Sequence, residues 1–397
     1  MKTKIIRDPI HKDIELNELE LKILDSKEMQ RLRRIKQNGF SFLVYPSLNN
    51  TRFEHSIGTM FIAGKIADKL NLDKDEKQDI RIASLLHDVG HLPFSHVSSD
   101  VIKKFDRNFS HEENSCNIIR KNFREILNSY GIDVEKICDL IKGKEKFGKI
   151  INSDIDADRM DYLLRDSYYA GVAYGIIDIH RIIQCIKFHK NLLVVSSGGI
   201  EAVENLLIAR NLMYQTVYRH HTKEIAEAMF SRAFEIFLDS MKKNFSNNEI
   251  IENLSKIDDY GIENLMENSE NEYVREIIQR LKNRDLFKRG YVEKITNIDL
   301  KFDVEAVEDK ICNSLGIPKN YLLINIPKQE MKEYDTLIEY NGEILNIEEI
   351  SELAKALKKQ EISQLNFYIY VDKKYLSLMK NFVAENFIKV IQRKLIV

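Results

Sequence analysis

The chain has 397 residues, enough for two to three domains and a large buried core. Lysine and arginine number 60 and aspartate and glutamate 62, so the formal charge is −2. This balance excludes the strongly basic character of a dedicated nucleic-acid-binding protein, and nucleic acid is not an expected partner. The low content of 15 glycines and 5 prolines, beside 44% hydrophobic residues, is typical of a helix-rich fold.

The four cysteines lie far apart, so neither a disulfide framework nor a zinc ribbon is predicted. Charged residues interrupt the N-terminal segment, and no apolar stretch reaches the roughly 18 residues that a membrane helix needs. We therefore expect a soluble, cytoplasmic protein without a membrane partner.

From about residue 21 to residue 244, apolar residues recur at three- and four-residue intervals, which is the period of α-helices. Ser110 and Glu113 have the spacing of a capping box, so a helix is predicted to begin at His111. Gly90 is expected to end the helix that carries the adjacent residues His87 and Asp88.

After about residue 287 the pattern changes. The segments NYLLINIP and QLNFYIYV predict strands, and TLIEYNGEILNI predicts a hairpin around Asn341 and Gly342. Helices are predicted over 347–357 and 375–394. We predict a mainly α fold with a helical catalytic domain over 1–245, a helical connection over 246–288 and a smaller C-terminal α+β lobe over 289–397.

Histidine and aspartate in the first half of the chain have the residue types and order of a metal site. An adjacent histidine and aspartate at a helix end can both reach one ion, and His87 and Asp88 are such a pair. His55 lies on the preceding predicted helix and Asp158 on a later one. Four ligands on separate helices leave coordination positions open, as catalytic sites do. A capping aspartate beside a core histidine is the alternative explanation for His87 and Asp88.

The helix after Asp158 has two distinct faces. Asp158, Asp161, Tyr162 and Arg165 recur at three- and four-residue steps, while Met160 and its apolar neighbours point toward a core. A solvated charged face with pairing between residues four apart is the alternative to a functional one.

The segments TRFEHSIG, LLHDVGHLPFSH, SHEEN and DADRMDYLLRD occur in this order. They resemble the HD-domain phosphohydrolases, specifically the deoxynucleoside triphosphate triphosphohydrolase branch. DPIHKDIEL and ARNLMYQTVYRHH are similar to the same branch. The resemblance implies an HD-domain helical bundle that binds a divalent metal, with Mg, Mn, Fe, Co, Ni and Zn all open as its identity.

The resemblance also implies a role for individual residues. The implied metal ligands are His55, His87, Asp88 and Asp158. The implied catalytic residues are His91, His96, His111 and Glu112. The implied substrate contacts are Gln37, Arg52, Arg159, Tyr162, Asp166, Arg210 and Tyr218. For His91 and His96, a role in fixing the loop after the metal helix stays open beside catalysis.

The expected activity is hydrolysis of a deoxynucleoside triphosphate to a deoxynucleoside and inorganic triphosphate. We expect His111 to protonate the departing 5′ oxygen, because a helix N-terminus favours an anionic substrate there. The resemblance further implies a homo-oligomer, either a dimer or a tetramer. Two alternatives remain open, an HD-type phosphodiesterase or nucleotidase acting on another nucleotide, and a nucleotide-sensing regulatory protein.

Overall fold

The computed structural model describes residues 3–294, 303–326, 334–363 and 366–383. Its α-helices are α1 (Glu18–Leu24), α2 (Lys27–Arg31), α3 (Arg52–Lys69), α4 (Lys74–Leu86), α5 (His96–Phe105), α6 (His111–Ile118), α7 (Arg124–Ser129), α8 (Val134–Ile141), α9 (Ala157–Ala170), α10 (Ile179–Cys185), α11 (Ile200–Met213), α12 (His221–Met241), α13 (Asn247–Leu254), α14 (Asp259–Glu267), α15 (Glu272–Lys282), α16 (Val304–Leu315), α17 (Ile347–Ile350) and α18 (Glu352–Ser363). Its strands are β1 (Lys4–Asp8), β2 (Lys12–Leu16), β3 (Ile186–His189), β4 (Leu192–Ser196), β5 (Lys288–Lys294), β6 (Leu322–Asn325), β7 (Leu337–Tyr340), β8 (Glu343–Asn346) and β9 (Asn366–Val371). The predicted mainly α fold is confirmed.

Helices α3 and α9 and the segment directly after α4 carry the predicted metal ligands, and α3 packs against both other helices. Each of the three begins at a residue that satisfies backbone N–H groups of the first turn. Thr51 and Glu54 form a capping box at the start of α3, and Asp73 caps α4. Asp156 caps α9 through its carboxylate. These caps fix where each helix starts, and therefore where its first-turn side chains lie.

The structure corrects the expected role of Gly90. Helix α4 already ends at Leu86, and His87 is its C-cap. A Cβ atom at Gly90 would lie 2.2 Å from the backbone nitrogen of Ser115. Gly90 is therefore needed because α6 packs directly against the loop, and the expectation that it ends α4 is wrong.

The predicted start of α6 at His111 is confirmed. Ser110 accepts a hydrogen bond from the backbone nitrogen of Glu113 at 3.1 Å. The Glu113 carboxylate does not complete the capping box, because it forms ion pairs with Arg120 and Lys142 instead. The cap still places His111 in the first turn, which is the position that the sequence predicted.

Both predicted C-terminal strands are present as β6 and β9, and the predicted hairpin is formed by β7 and β8. Asn341 and Gly342 have φ values of 50° and 86°, the left-handed conformation that a two-residue hairpin turn requires. The helix predicted over 347–357 is interrupted at Ser351, which has extended backbone between α17 and α18. Of the helix predicted over 375–394, residues 376–383 are helical, and the remainder lies outside the described residues.

Two hairpins, β1–β2 and β3–β4, were not predicted. The second belongs to a four-stranded sheet of order β3-β4-β7-β8, in which β4 and β7 are parallel. Val195 of β4 is thus paired with Ile338 of β7, and Tyr334, Ile338 and Ala354 share one hydrophobic core with Leu206. Strands from the middle of the chain and from its last quarter therefore close a single core, while the division at 245 and 288 stays a prediction.

Helices α13 to α15 follow α12, and α15 packs along it. Their apolar residues form one cluster with Phe40 and Phe94. Tyr370, on β9 of the three-stranded sheet β5-β9-β6, belongs to the same cluster. This packing brings the start of α14 next to the loop after Asp88. Within the described ranges, no helix has both the length and the apolar character required to cross a membrane.

Candidate metal centre and catalytic cavity

The four predicted metal ligands converge at the meeting point of α3, α4 and α9. One donor atom each of His55, His87 and Asp88 lies within 4.8 Å of the other two. Asp158 Oδ1 lies 2.9 Å from His55 Nε2. His55, His87 and Asp88 are buried, so these donors face one another away from bulk solvent.

The donor set fits a divalent metal ion. His55 Nδ1 lies 2.8 Å from Asp161 Oδ2, and His87 Nδ1 lies 2.6 Å from the backbone oxygen of Ser84. Each Nδ1 is therefore a donor, which leaves Nε2 of each ring as the nitrogen that would bind a metal ion. These two Nε2 atoms are buried and make no hydrogen bond among the described residues. Two imidazole rings, each held through its Nδ1, and two carboxylates are a typical ligand set for a transition-metal ion.

The electrostatics of the centre favour a bound cation. Burial opposes a charged His55, but the carboxylates of Asp158 and Asp161 outweigh burial and raise its pKa to about 10, so a metal ion bound at Nε2 would take the place of a proton there. Burial also opposes a charged Asp88, but Arg52 and the neighbouring histidines lower the pKa of that carboxyl well below its usual range. Ionised carboxylates thus surround the point where the metal ion would bind.

A buried charged network lies behind His55. Asp161 lies between His55 and His11, with its Oδ1 2.6 Å from His11 Nε2. Arg165 donates to both oxygens of Asp161 at 2.9 Å and to Asp8 at 2.8 Å. Side chains of Asp161 and Arg165 are fully buried, so this face is not solvated as the alternative expected, although the expected pairing between residues four apart is present. Asp161 fixes the orientation of a metal ligand, as carboxylates beside ligating histidines commonly do.

Helix α3 approaches this network closely only because residue 58 is glycine. A Cβ atom there would lie 1.9 Å from Asp161 Oδ1 and 2.4 Å from Arg165 Nη2. Both distances are far below any normal contact. Gly58 therefore permits α9 to present Asp161 to His55.

Three histidines form a second group on the other side of Asp88. The ring centroids of His91 and His111 are 4.2 Å apart with nearly parallel planes, and His96 lies 5.1 Å from His91. Burial lowers the pKa of all three, that of His96 to about 3. Arg52 also lowers the pKa of the three histidines, whereas Glu112 raises the pKa of His111. The three rings are therefore neutral near pH 7 in the free protein.

A single cavity of about 970 Å³ joins the metal centre to the three histidines. Its lining includes Asp88, Asp158, His91, His96 and His111. The same cavity reaches most of the predicted substrate contacts, which are Gln37, Arg52, Arg159, Tyr162, Asp166 and Tyr218. The sequence-predicted groups are thus collected in one space of the size that small ligands occupy.

Comparison with known proteins assigns the family. Residues 177–395, more than half of the chain, match the family model described as HD associated region, and residues 52–166 match the HD domain. The chain belongs to the HD-domain phosphohydrolase family. The resemblance noted in the sequence is therefore confirmed, and the chain has the fold of a metal-dependent hydrolase family.

Its relatives among HD-domain proteins include one from Methanocaldococcus jannaschii described as uncharacterized, which is 39% identical over 98% of this chain and 84% of its own. The deoxynucleoside triphosphate triphosphohydrolase SAMHD1 homolog of Dictyostelium discoideum is 32% identical over 74% of this chain and 60% of its own length. A crystal structure of a phosphohydrolase from Bacteroides thetaiotaomicron is 27% identical, with a TM-score of 0.76 over 94% of this chain and all of that one.

One predicted contact of this HD-domain protein lies apart from the cavity. Arg210 does not line it, and its buried guanidinium donates to both carboxylate oxygens of Glu361, at 3.1 and 3.4 Å. Its guanidinium carbon lies 4.5 Å from the ring centroid of Tyr214. The predicted role of Arg210 at a triphosphate is therefore not supported by its position in this structure.

Sequence reasoning missed several residues that shape the site. His11 and Asp8 come from the N-terminal hairpin, where the only signal was the DPIH motif. Asn50 donates to Asp166 at 2.9 Å, and nothing in the chain pattern indicated that contact. Asp259, from the predicted helical connection, accepts a hydrogen bond from the loop that carries His91.

Proposed function

We propose that this HD-domain protein hydrolyses deoxynucleoside triphosphates to a deoxynucleoside and inorganic triphosphate. The observation that carries the proposal is the set of groups that line one cavity. Arginines, a metal-binding centre, neutral histidines, a cluster of tyrosines and one carboxylate all line it. These groups suit the phosphates, the reacting phosphorus and the sugar of a nucleotide. The curated SAMHD1 homolog of Dictyostelium supports the substrate class.

The phosphate end of the cavity contains Arg52 and Arg159. Arg52 donates to Asp88 at 2.7 Å and to Ser95 at 2.9 Å, and its buried Nη2 makes no hydrogen bond within the described part of the chain. Leaving a buried guanidinium nitrogen without an acceptor is costly, so this atom suits a phosphoryl oxygen. The two guanidinium groups would neutralise part of the triphosphate charge.

His55, His87, Asp88 and Asp158 would hold a divalent metal ion, which would polarise the phosphoryl group as a Lewis acid and acidify a water molecule. In the proposed reaction the water oxygen bonds to the α-phosphorus and loses a proton to the solvent while the bond from phosphorus to the 5′ oxygen breaks. His111 gives a proton to that 5′ oxygen. The anionic phosphates would raise the lowered pKa of His111 on binding, and Glu112, whose Oε2 lies 3.5 Å from His111 Nδ1, adds to this effect.

The sugar end is formed by Asp166 and two tyrosines. Asp166 accepts hydrogen bonds from Asn50 at 2.9 Å and from the Tyr218 hydroxyl at 2.8 Å. The rings of Tyr162 and Tyr218 lie 6.3 Å apart at a steep angle. Gln37 lines the same cavity, and its buried Oε1 makes no hydrogen bond in the described residues. This amide oxygen and the Asp166 carboxylate both suit a sugar hydroxyl. Apolar ring faces suit the deoxyribose itself.

The test is incubation of the purified protein with each of the four deoxynucleoside triphosphates and Mn²⁺, Mg²⁺ or Co²⁺, followed by anion-exchange separation of the products. Inorganic triphosphate plus deoxynucleoside supports the proposal. Nucleoside monophosphate instead favours a nucleotidase or phosphodiesterase, and tight binding without turnover favours a sensor. His111→Asn is expected to slow release at least tenfold, while His189→Gln, in the hairpin β3–β4, serves as the control.

The assembly and location of the protein remain predictions. We expect a homo-oligomer, and sedimentation velocity of the full chain with and without nucleotide would show a species larger than 46.6 kDa. A cytoplasmic location remains the expectation from the sequence.

A further inference from the structure

The loop between α4 and α5 has an unusual backbone. Phe94 and Ser95, consecutive and neither of them glycine, have φ values of 58° and 51°. Residues with side chains avoid this region, because their Cβ atoms approach the backbone too closely there. Such a conformation persists only where surrounding contacts impose it. Because the loop carries His91 and leads into His96, those contacts also set the position of two cavity histidines.

Asp259 supplies the central contact. It is the first residue of α14, and 1% of its surface is exposed. Its Oδ1 accepts a hydrogen bond from the Phe94 backbone nitrogen at 2.7 Å, and its Oδ2 accepts one from the Lys36 backbone nitrogen at 2.9 Å. One carboxylate thus ties the histidine loop to the segment that continues into Gln37.

Arg31 holds the same loop from its other end. Its Nη2 donates to the backbone oxygens of Val89 at 3.0 Å and His91 at 2.7 Å, and its Nη1 donates to Ile257 at 2.9 Å. The guanidinium is buried, and all three acceptors are backbone oxygens. Arg31 therefore clamps the loop to the chain just before Asp259.

Few polar contacts of its own fix the orientation of the His91 ring. Neither ring nitrogen makes a hydrogen bond among the described residues, although Nε2 lies 3.1 Å from Asp88 Oδ1. Its orientation therefore depends on the backbone that carries it and on packing against His111. Movement of residues 91–96 would displace this ring directly.

We propose that Asp259 is a positioning residue, which holds the His91–His96 loop and the Gln37 segment in register across the cavity. It does not touch the substrate, and its effect is exerted through the backbone of Phe94 and Lys36. The expected loss of turnover rests on the proposed function, whereas the tether formed by Asp259 is a property of the folded chain.

The test compares Asp259→Asn with the wild type and with Glu263→Gln. Asparagine keeps the shape of the side chain but turns one acceptor into a donor, which would face a backbone N–H group. Glu263→Gln removes another partly buried carboxylate of α14, and no hydrogen bond joins Glu263 to either loop in the described residues. Three quantities are measured on Mn²⁺-loaded protein: bound manganese per chain, amide hydrogen exchange, and kcat and KM for deoxynucleoside triphosphates.

For Asp259→Asn we expect at least tenfold faster exchange in peptides covering 33–40 and 89–99, and a kcat at least tenfold lower at unchanged manganese content. Glu263→Gln should match the wild type in all three. Wild-type exchange in both segments, or faster exchange with wild-type kcat, would overturn the proposal. If Asp259→Asn does not fold, Asp259→Glu, which lengthens the tether by one methylene, is judged by the same criteria. If the wild type itself lacks turnover, the proposed substrate fails, and the exchange result alone decides whether the tether exists.

Discussion

The close approach of α3 to α9 yields a quantitative prediction at Gly58. In Gly58→Ala the new methyl group would lie 1.9 Å from Asp161 Oδ1 and 2.4 Å from Arg165 Nη2. Either the helices separate or the carboxylate leaves its position. Overpacking of this kind costs about 1–3 kcal/mol, and disturbing a buried ion pair costs about 3–5 kcal/mol. The helix propensity of alanine offsets about 1 kcal/mol of that total.

We therefore expect Gly58→Ala to lower the free energy of unfolding by at least about 3 kcal/mol. It should also weaken metal binding, because Asp161 no longer fixes the His55 ring. Urea unfolding of the metal-free protein measures the first effect. Titration with Mn²⁺, followed by calorimetry, measures the second.

The same helix offers a matched control. A Cβ atom at Gly64 would meet Arg81 Nη1 at 2.8 Å, and this atom is the end of a flexible side chain that can move aside. Gly64→Ala should thus stay within about 1 kcal/mol of the wild type and bind Mn²⁺ normally. Equal stabilities and equal Mn²⁺ affinities for the two variants would refute the argument that residue 58 must be glycine.

Three further predictions concern metal, pH and a buried ion pair. Mn²⁺ at a hundred times its Kd should stabilise the wild type by about 2.7 kcal/mol, and Asp158→Asn, compared at the same concentration in thermal unfolding, should gain clearly less; an equal gain would place the metal elsewhere. Burial and Glu227 raise the pKa of Glu224 to about 7, although Lys223 opposes them. The native state therefore keeps a proton on Glu224 at pH values where the unfolded chain has already lost it. Native stability therefore falls as pH rises from about 4 to 7, and Glu224→Gln should raise Tm more at pH 8 than at pH 5; a Tm gain independent of pH would contradict the assignment. Glu361→Ala removes a carboxylate from buried Arg210 and should lower the unfolding free energy by about 3 kcal/mol, whereas a loss below about 1 kcal/mol in urea would show that the pair is unimportant.

Local signals in the sequence determined part of the structure. The start of α6 depends on one serine hydroxyl at Ser110, and the β7–β8 turn depends on two left-handed residues, Asn341 and Gly342. Such features need only a few neighbouring residues, so the sequence reveals them. His55, His87 and Asp88, which could bind a metal, were also predicted, from the order of their motifs together with the resemblance to the HD-domain phosphohydrolases.

Long-range contacts could not be predicted in the same way. The periodicity of Asp161 and Arg165 is identical whether that face is solvated or buried, and only the approach of Gly58 makes it buried. The parallel pairing of β4 with β7 joins segments more than a hundred residues apart without a local signal. Asp259 likewise stood in a segment predicted only as a connection, because its role depends on two backbone N–H groups of distant loops.

The sheet shared by β3, β4, β7 and β8 has a consequence for synthesis of the chain on the ribosome. Core residues up to Val217 share a hydrophobic cluster with Tyr334, Ile338 and Leu357. The last of these residues, Leu357, follows Val217 by 140 residues, which at ~5–20 residues per second corresponds to roughly 7–28 s of translation. During that interval the half of the chain that carries the candidate site has left the ribosome. Part of its apolar surface is not yet covered by Tyr334, Ile338 and Leu357. Nascent chains of this protein are therefore expected to depend on chaperone protection until their last third has been made.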